Sequence, residues 1–216
     1  MADGAFGVSE LDWDAAGRLL ADAALGADDA ELFIEDSKSE SFAWDDGRLK
    51  AASYDASQGF GLRVVSGETV GYGHASTLET PALARAAASA ASAKRGNPAN
   101  LDAAPARTNR KLYRDIDPLA APAFTAKTDL LAEIDAYVRA RDPRVVQVSA
   151  SLAASRRAVS ILRPDGQRVD DHRPLVRVNV AVTVEKDGRR ENGSTCNARY
   201  GCTGLDGPVA RGHAAR

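Results

Sequence analysis

Val176-Arg177-Val178-Asn179-Val180-Ala181-Val182-Thr183-Val184-Glu185 decides the fold class. Valine falls on every second position, and Arg177, Asn179, Thr183 and Glu185 stand between. Side chains alternate sides along a strand, so a period of two gives one apolar and one polar face. That pattern belongs to an antiparallel sheet with one face covered and one wetted. Lys186-Asp187-Gly188-Arg189 follows and turns the chain back, since glycine tolerates a positive φ.

Upstream, Val146, Val148, Ala150 and Leu152 face one way and Gln147, Ser149 and Ser151 the other; Val159 and Ile161 lead into a turn at Pro164-Asp165-Gly166. Before them, Leu130, Leu131, Ile134, Tyr137 and Val138 recur at helical spacing, which predicts a helix over about 125–141 stopped by Asp142-Pro143. The front of the chain follows the same plan. Ser9-Glu10-Leu11-Asp12 resembles a capping box, and Leu11, Ala15, Ala16, Leu19, Leu20, Ala23 and Ala24 form one stripe ending at Gly26. Strands follow, carrying Ala30, Leu32 and Ile34, then Phe42 and Trp44, with a turn at Asp46-Gly47; Phe60, Leu62 and Val64 precede Ser66-Gly67, and Val70 to Gly73 make a last strand. Thr80-Pro81 opens a helix with Thr as cap, closed by Lys94, Arg95 and Gly96.

An antiparallel sheet needs an apolar helix face over it. The expectation is an α+β fold: two helix-covered antiparallel sheet units joined by a Pro-rich connector. The first unit spans 1–96, the connector 97–124 with four of the nine prolines, the second unit 125–194, and an irregular tail 195–216. The shared plan suggests an internal repeat.

At 44% hydrophobic and 27% charged, composition is that of a globular chain able to build a core. Twenty-eight basic against thirty acidic residues give a net charge of −2, without the basic surplus on which nucleic-acid binding rests. No apolar run approaches the ~20 residues that span a bilayer, and Met1 to Glu10 lacks the pattern of a secretory signal, so the expected compartment is the cytoplasm.

Catalytic constellations are missing. Of the histidines His74, His172 and His213, none is followed by Glu or has a second His at helical spacing. Asp170 and His172 share a strand face, but two ligands do not make a metal site. Cys196 and Cys202 are spaced more widely than usual zinc ligands, and with His213 they still lack a fourth. The acidic cluster Glu31, Glu35, Asp36, Glu40 reads as a wet strand face. No catalytic and no metal-ligating residue is assigned, and substrate-binding residues are unknown from sequence.

From Leu19 to Ser194 the chain resembles the TldD/PmbA family of peptidases, its TldD branch above all. The resemblance is carried by Asp115-Ile116-Asp117-Pro118-Leu119, Asp142-Pro143-Arg144-Val145, Gln147-Val148-Ser149, Arg173-Pro174-Leu175-Val176-Arg177 and Asp187-Gly188-Arg189-Arg190-Glu191-Asn192-Gly193-Ser194, with Ala30-Glu31-Leu32 through Asp46-Gly47-Arg48-Leu49. It implies a cytoplasmic zinc metallopeptidase acting on flexible peptides as a heterodimer of TldD-like and TldE/PmbA-like subunits. The zinc would sit on a His-Glu-x-x-x-His helix with a later cysteine, where zinc activates water and the Glu is the base. Those positions are not found in this chain, so no zinc is expected to bind to it alone. Thr195-Cys196-Asn197-Ala198 replaces the Gly-rich run expected after Gly193-Ser194, which suggests a product truncated or shifted in frame after about Ser194. The other reading is a non-catalytic module that docks a protein or peptide on a sheet edge, or self-associates.

Overall fold

The structure is a computed structural model that describes residues 11–92, 113, 116–120 and 122–200, and for 198–200 the backbone alone. Its elements are α1 (Trp13–Ala24), β1 (Asp29–Asp45), β2 (Arg48–Ser66), β3 (Thr69–Ala75), α2 (Thr80–Ala91), α3 (Phe124–Arg141), β4 (Val145–Leu162), β5 (Arg168–Lys186) and β6 (Arg189–Tyr200). The strands form one six-stranded antiparallel sheet in the order β3-β2-β1-β4-β5-β6. The α+β class holds, and the two expected layers are parts of that single sheet.

Four strands are 17 to 19 residues long, several times the usual strand. The two expected strands around Ile34 and Phe42 are therefore one continuous β1. Type I′ hairpins explain the sharp reversals: Asp46 and Gly47 have φ of 50° and 80°, and Asp187 and Gly188 have 54° and 78°. Leu175↔Tyr200 to Lys186↔Arg189 pair β5 with β6, so 195–200 are strand, not irregular tail. They gain partners because β5 extends past them; residues 201–216 lie outside the described residues.

Helix ends differ from expectation by a few residues. Asp12, expected as the partner of Ser9, is itself the α1 cap, its carboxylate accepting from the Ala15 amide at 2.9 Å. Ser9 lies outside the described residues, as do Lys94, Arg95 and Gly96. Glu79 occupies the α2 cap position, and Thr80 is already helical ahead of Pro81.

The chain divides into two compact units, discontinuous in sequence: residues 1–37, 56–112 and 157–172, and residues 38–55, 113–156 and 173–216. The division cuts through the long strands, whereas the sequence partition followed chain order. In the first unit, α1 and α2 bury Leu20, Leu32, Ile34, Leu62 and Leu83, each contributing about 1.5–3 kcal/mol. In the second, α3 lays Leu131, Ile134 and Val138 on Phe42, Val148, Ala150, Leu152 and Val180. Val146 is 41% exposed rather than facing this core; Val145 packs there instead.

The buried stripe of α3 includes two charges. Asp135 accepts from the Trp44 indole N–H at 3.0 Å, the Gly47 amide at 2.7 Å and Arg139 Nε at 2.7 Å, tying the helix to the β1–β2 hairpin. Lys127, 3% exposed, pairs with Glu40, donates to the Leu119 carbonyl at 3.2 Å and lies 6.0 Å from the Phe42 ring centroid. Among the described residues no helix is long and apolar enough to cross a membrane.

Candidate functional site

Even-numbered residues of β1, and of β4 from Val148 onward, face the helices: Leu32, Ile34 and Phe42, and Val148, Ala150 and Leu152, are buried. Odd-numbered ones face the other way. In the second unit this face, which carries no helix among the described residues, holds a trough of about 270 Å³ lined by Ser39, Ser41, Ser53, Asp55, Ser155 and Arg177, with Glu40, Ala153, Ala154 and Leu175. Four strands contribute to it, and the Ser41 and Ser53 hydroxyls bond at 2.8 Å. Farther along the same face, Asp45 accepts from Ser149 Oγ at 2.6 Å and Gln147 Nε2 at 3.0 Å, and these two bonds hold its carboxyl below the ordinary value of 3.8.

Hydroxyls, the Asp55 carboxylate and the Arg177 guanidinium can hold an extended polar chain by hydrogen bonds. The lining contains no histidine or cysteine, so it offers no base titrating near neutrality and no thiolate. The sequence signal for the trough was the polar spacing Ser39-x-Ser41 and Ser53-x-Asp55, but only the pairing of strands brings these residues together.

The residues weighed from sequence are dispersed. His74 lies exposed on β3, stacked on Tyr72 with ring centroids 5.6 Å apart. Asp170 accepts from Ser160 Oγ at 2.6 Å and Arg168 Nε at 2.8 Å. Cys196 is an exposed free thiol opposite Asn179; Cys202 and His213 lie outside the described residues. The acidic cluster splits by alternation, which corrects its reading as one wet face. Glu31 joins Arg63 at 3.1 Å and Arg163 at 3.4 Å, and Glu35 meets Arg157 at 3.4 Å. Asp36 is buried, and Glu40 pairs with the buried Lys127. Among the described residues no three His, Cys, Asp or Glu side chains could hold a metal ion.

An antiparallel sheet packed against helices defines the class, an α+β scaffold. Two family models match in succession: PmbA/TldA metallopeptidase domain 1 over residues 30–94, and the PmbA/TldA metallopeptidase central domain over residues 117–210. The chain belongs to the PmbA/TldD metallopeptidase family. A metalloprotease TldD homolog of Haemophilus influenzae is 37% identical over 170 residues, covering 77% of this chain and 35% of that protein. The homolog from Buchnera aphidicola of Schizaphis graminum is 34% identical over 168 residues, with the same coverage. This chain thus spans about a third of the curated relatives it matches. A candidate DNA gyrase modulator from Thermotoga maritima shares the fold at TM-score 0.72 and 16% identity, over 89% of this chain and 44% of that one. TldE from Thermococcus kodakarensis shares it at TM-score 0.69 and 13% identity, over 93% and 45%.

The family's character as metallopeptidases implies a metal, and the described residues do not fit one: no three acidic, histidine or cysteine side chains among them converge, and Glu31, Glu35 and Asp170 are already engaged by arginines.

Proposed function

We propose that this chain is the N-terminal scaffold of a TldD-like zinc metallopeptidase subunit, a cytoplasmic enzyme that hydrolyses flexible peptides with a TldE/PmbA-like partner. The observation that carries the reading is the ordered succession of the first and central family domains along 30–210. Within the subunit this chain contributes sheet surfaces for channel and interface, and the hydrolytic centre belongs to the remainder of the family protein. The trough, with its hydroxyls and Arg177, suits a polypeptide in extended form. The test is cleavage of an unfolded peptide. The chain alone is expected to be inactive, and activity is expected once the remainder of a TldD-like subunit and its partner are added; hydrolysis by the purified chain alone would refute the scaffold role.

One observation favours a second reading, a docking module. Residues 50–58 of β2 are all exposed, Tyr54 at 61%, so this stretch offers a strand on which an extended peptide could pair.

A further inference from the structure

The two halves of the chain repeat one order of elements, α1-β1-β2-β3 and α3-β4-β5-β6, and in the first half α2 follows. Sheet order gives β6 the outer place in its half that β3 has in its own. In the first unit α2 packs on β3 at Gly73, which stands opposite Leu62. A Cβ at Gly73 would lie 2.3 Å from the Ala86 carbonyl oxygen and 2.7 Å from its Cα, so only glycine lets the helix backbone come so near.

Gly193 of β6 stands opposite Val182 of β5. Val182 and Val178 pack on the apolar cluster under α3, so Gly193 looks out on the face that α3 covers. A Cβ there meets nothing within 4 Å. Val182 and Val184 are half-buried, and Gly193 is exposed. On this face of β6, Gly193 stands between Glu191, paired with Arg189, and the half-buried Thr195, and among the described residues no helix covers it. Valines on this face call for a second layer.

We infer that the β5–β6 strip around Gly193 seats a helix with small residues on its contact face. Its source is the polypeptide that family members carry after the central domain. Two observations name that occupant. The model matching 117–210 is that of a central domain, so the family protein has a further region. About two thirds of the relatives' length also lies outside the match.

The experiment mixes the 216-residue chain with the separately produced polypeptide that follows the central domain in the Haemophilus influenzae relative. A complex is expected on gel filtration, with amide exchange across 178–184 and 191–197 slowed about tenfold or more. Gly193→Ile, a good strand former, is expected to weaken association about tenfold or more. Ser194→Ile, on the other face of β6, leaves it unchanged. Should Gly193→Ile misfold, Gly193→Ala fits the free chain and is still expected to weaken association. The inference is overturned by no complex, by protection that misses β6, or by equal loss in both isoleucine variants. A self-associated chain that Gly193→Ile dissociates assigns the strip to a second copy and overturns it too. The readout is binding, so its failure is distinct from failure of the peptidase reading.

Discussion

Asp135→Ala removes the link between α3 and the β1–β2 hairpin. The carboxylate is 4% exposed and takes three hydrogen bonds, from the Trp44 indole, the Gly47 amide and Arg139. Bonds to a charged acceptor contribute about 1.5–3 kcal/mol each, and truncation leaves the donors without their partner. Arg139 is 35% exposed in its side chain, so its share is discounted to under ~1 kcal/mol. Trp44 and Gly47 then bring the expected loss to about 3–5 kcal/mol, a large part of a domain's ~5–15 kcal/mol. Asp135→Asn keeps an acceptor and is expected to lose about half as much. Urea unfolding followed by Trp44 fluorescence in a Trp13→Phe background reads the second unit directly, since these are the two tryptophans. A loss below about 1 kcal/mol for Asp135→Ala would refute the reasoning and make the cluster a bystander.

Lys127→Met strands the Glu40 carboxylate, 12% exposed, and is expected to cost about 3–5 kcal/mol, while Lys127→Met with Glu40→Leu recovers much of it; denaturation midpoints of the three proteins check the ordering. Gly73→Ala drives a Cβ into the Ala86 backbone and should cost about 1–3 kcal/mol, whereas Gly193→Ala in the free chain should stay within about 0.5 kcal/mol, both read by thermal melting. Arg144 holds Asp142 down to about 2 from 3.8, first through side-chain hydrogen bonds and then through its amide. A depressed carboxylate stabilises the fold above its unfolded pKa, and that contribution disappears as pH falls from 3.8 through about 2. Asp142→Asn should therefore flatten the pH dependence of the urea midpoint over this window.

The sequence made the valine strand, the Asp-Gly turns and α3 legible because each is a local pattern. It hid the continuity of β1, since Lys38 and Glu40 interrupt the alternation with charge; only the distant Lys127 explains Glu40 on the buried side. Asp135 carries no local signal of its role, because its partners Trp44 and Gly47 lie 91 and 88 positions away. The serine trough escaped for the same reason: its residues come from four strands, and register is not written in any one of them. Chain order also suggested contiguous units, whereas strands of 17 to 19 residues serve both.

Metal content tests the scaffold account most directly. The purified chain, exposed to zinc and then desalted, should retain less than about one ion per ten molecules, with stoichiometric zinc appearing only when the remainder of a TldD-like subunit is supplied. About one zinc per molecule on the isolated chain would contradict it.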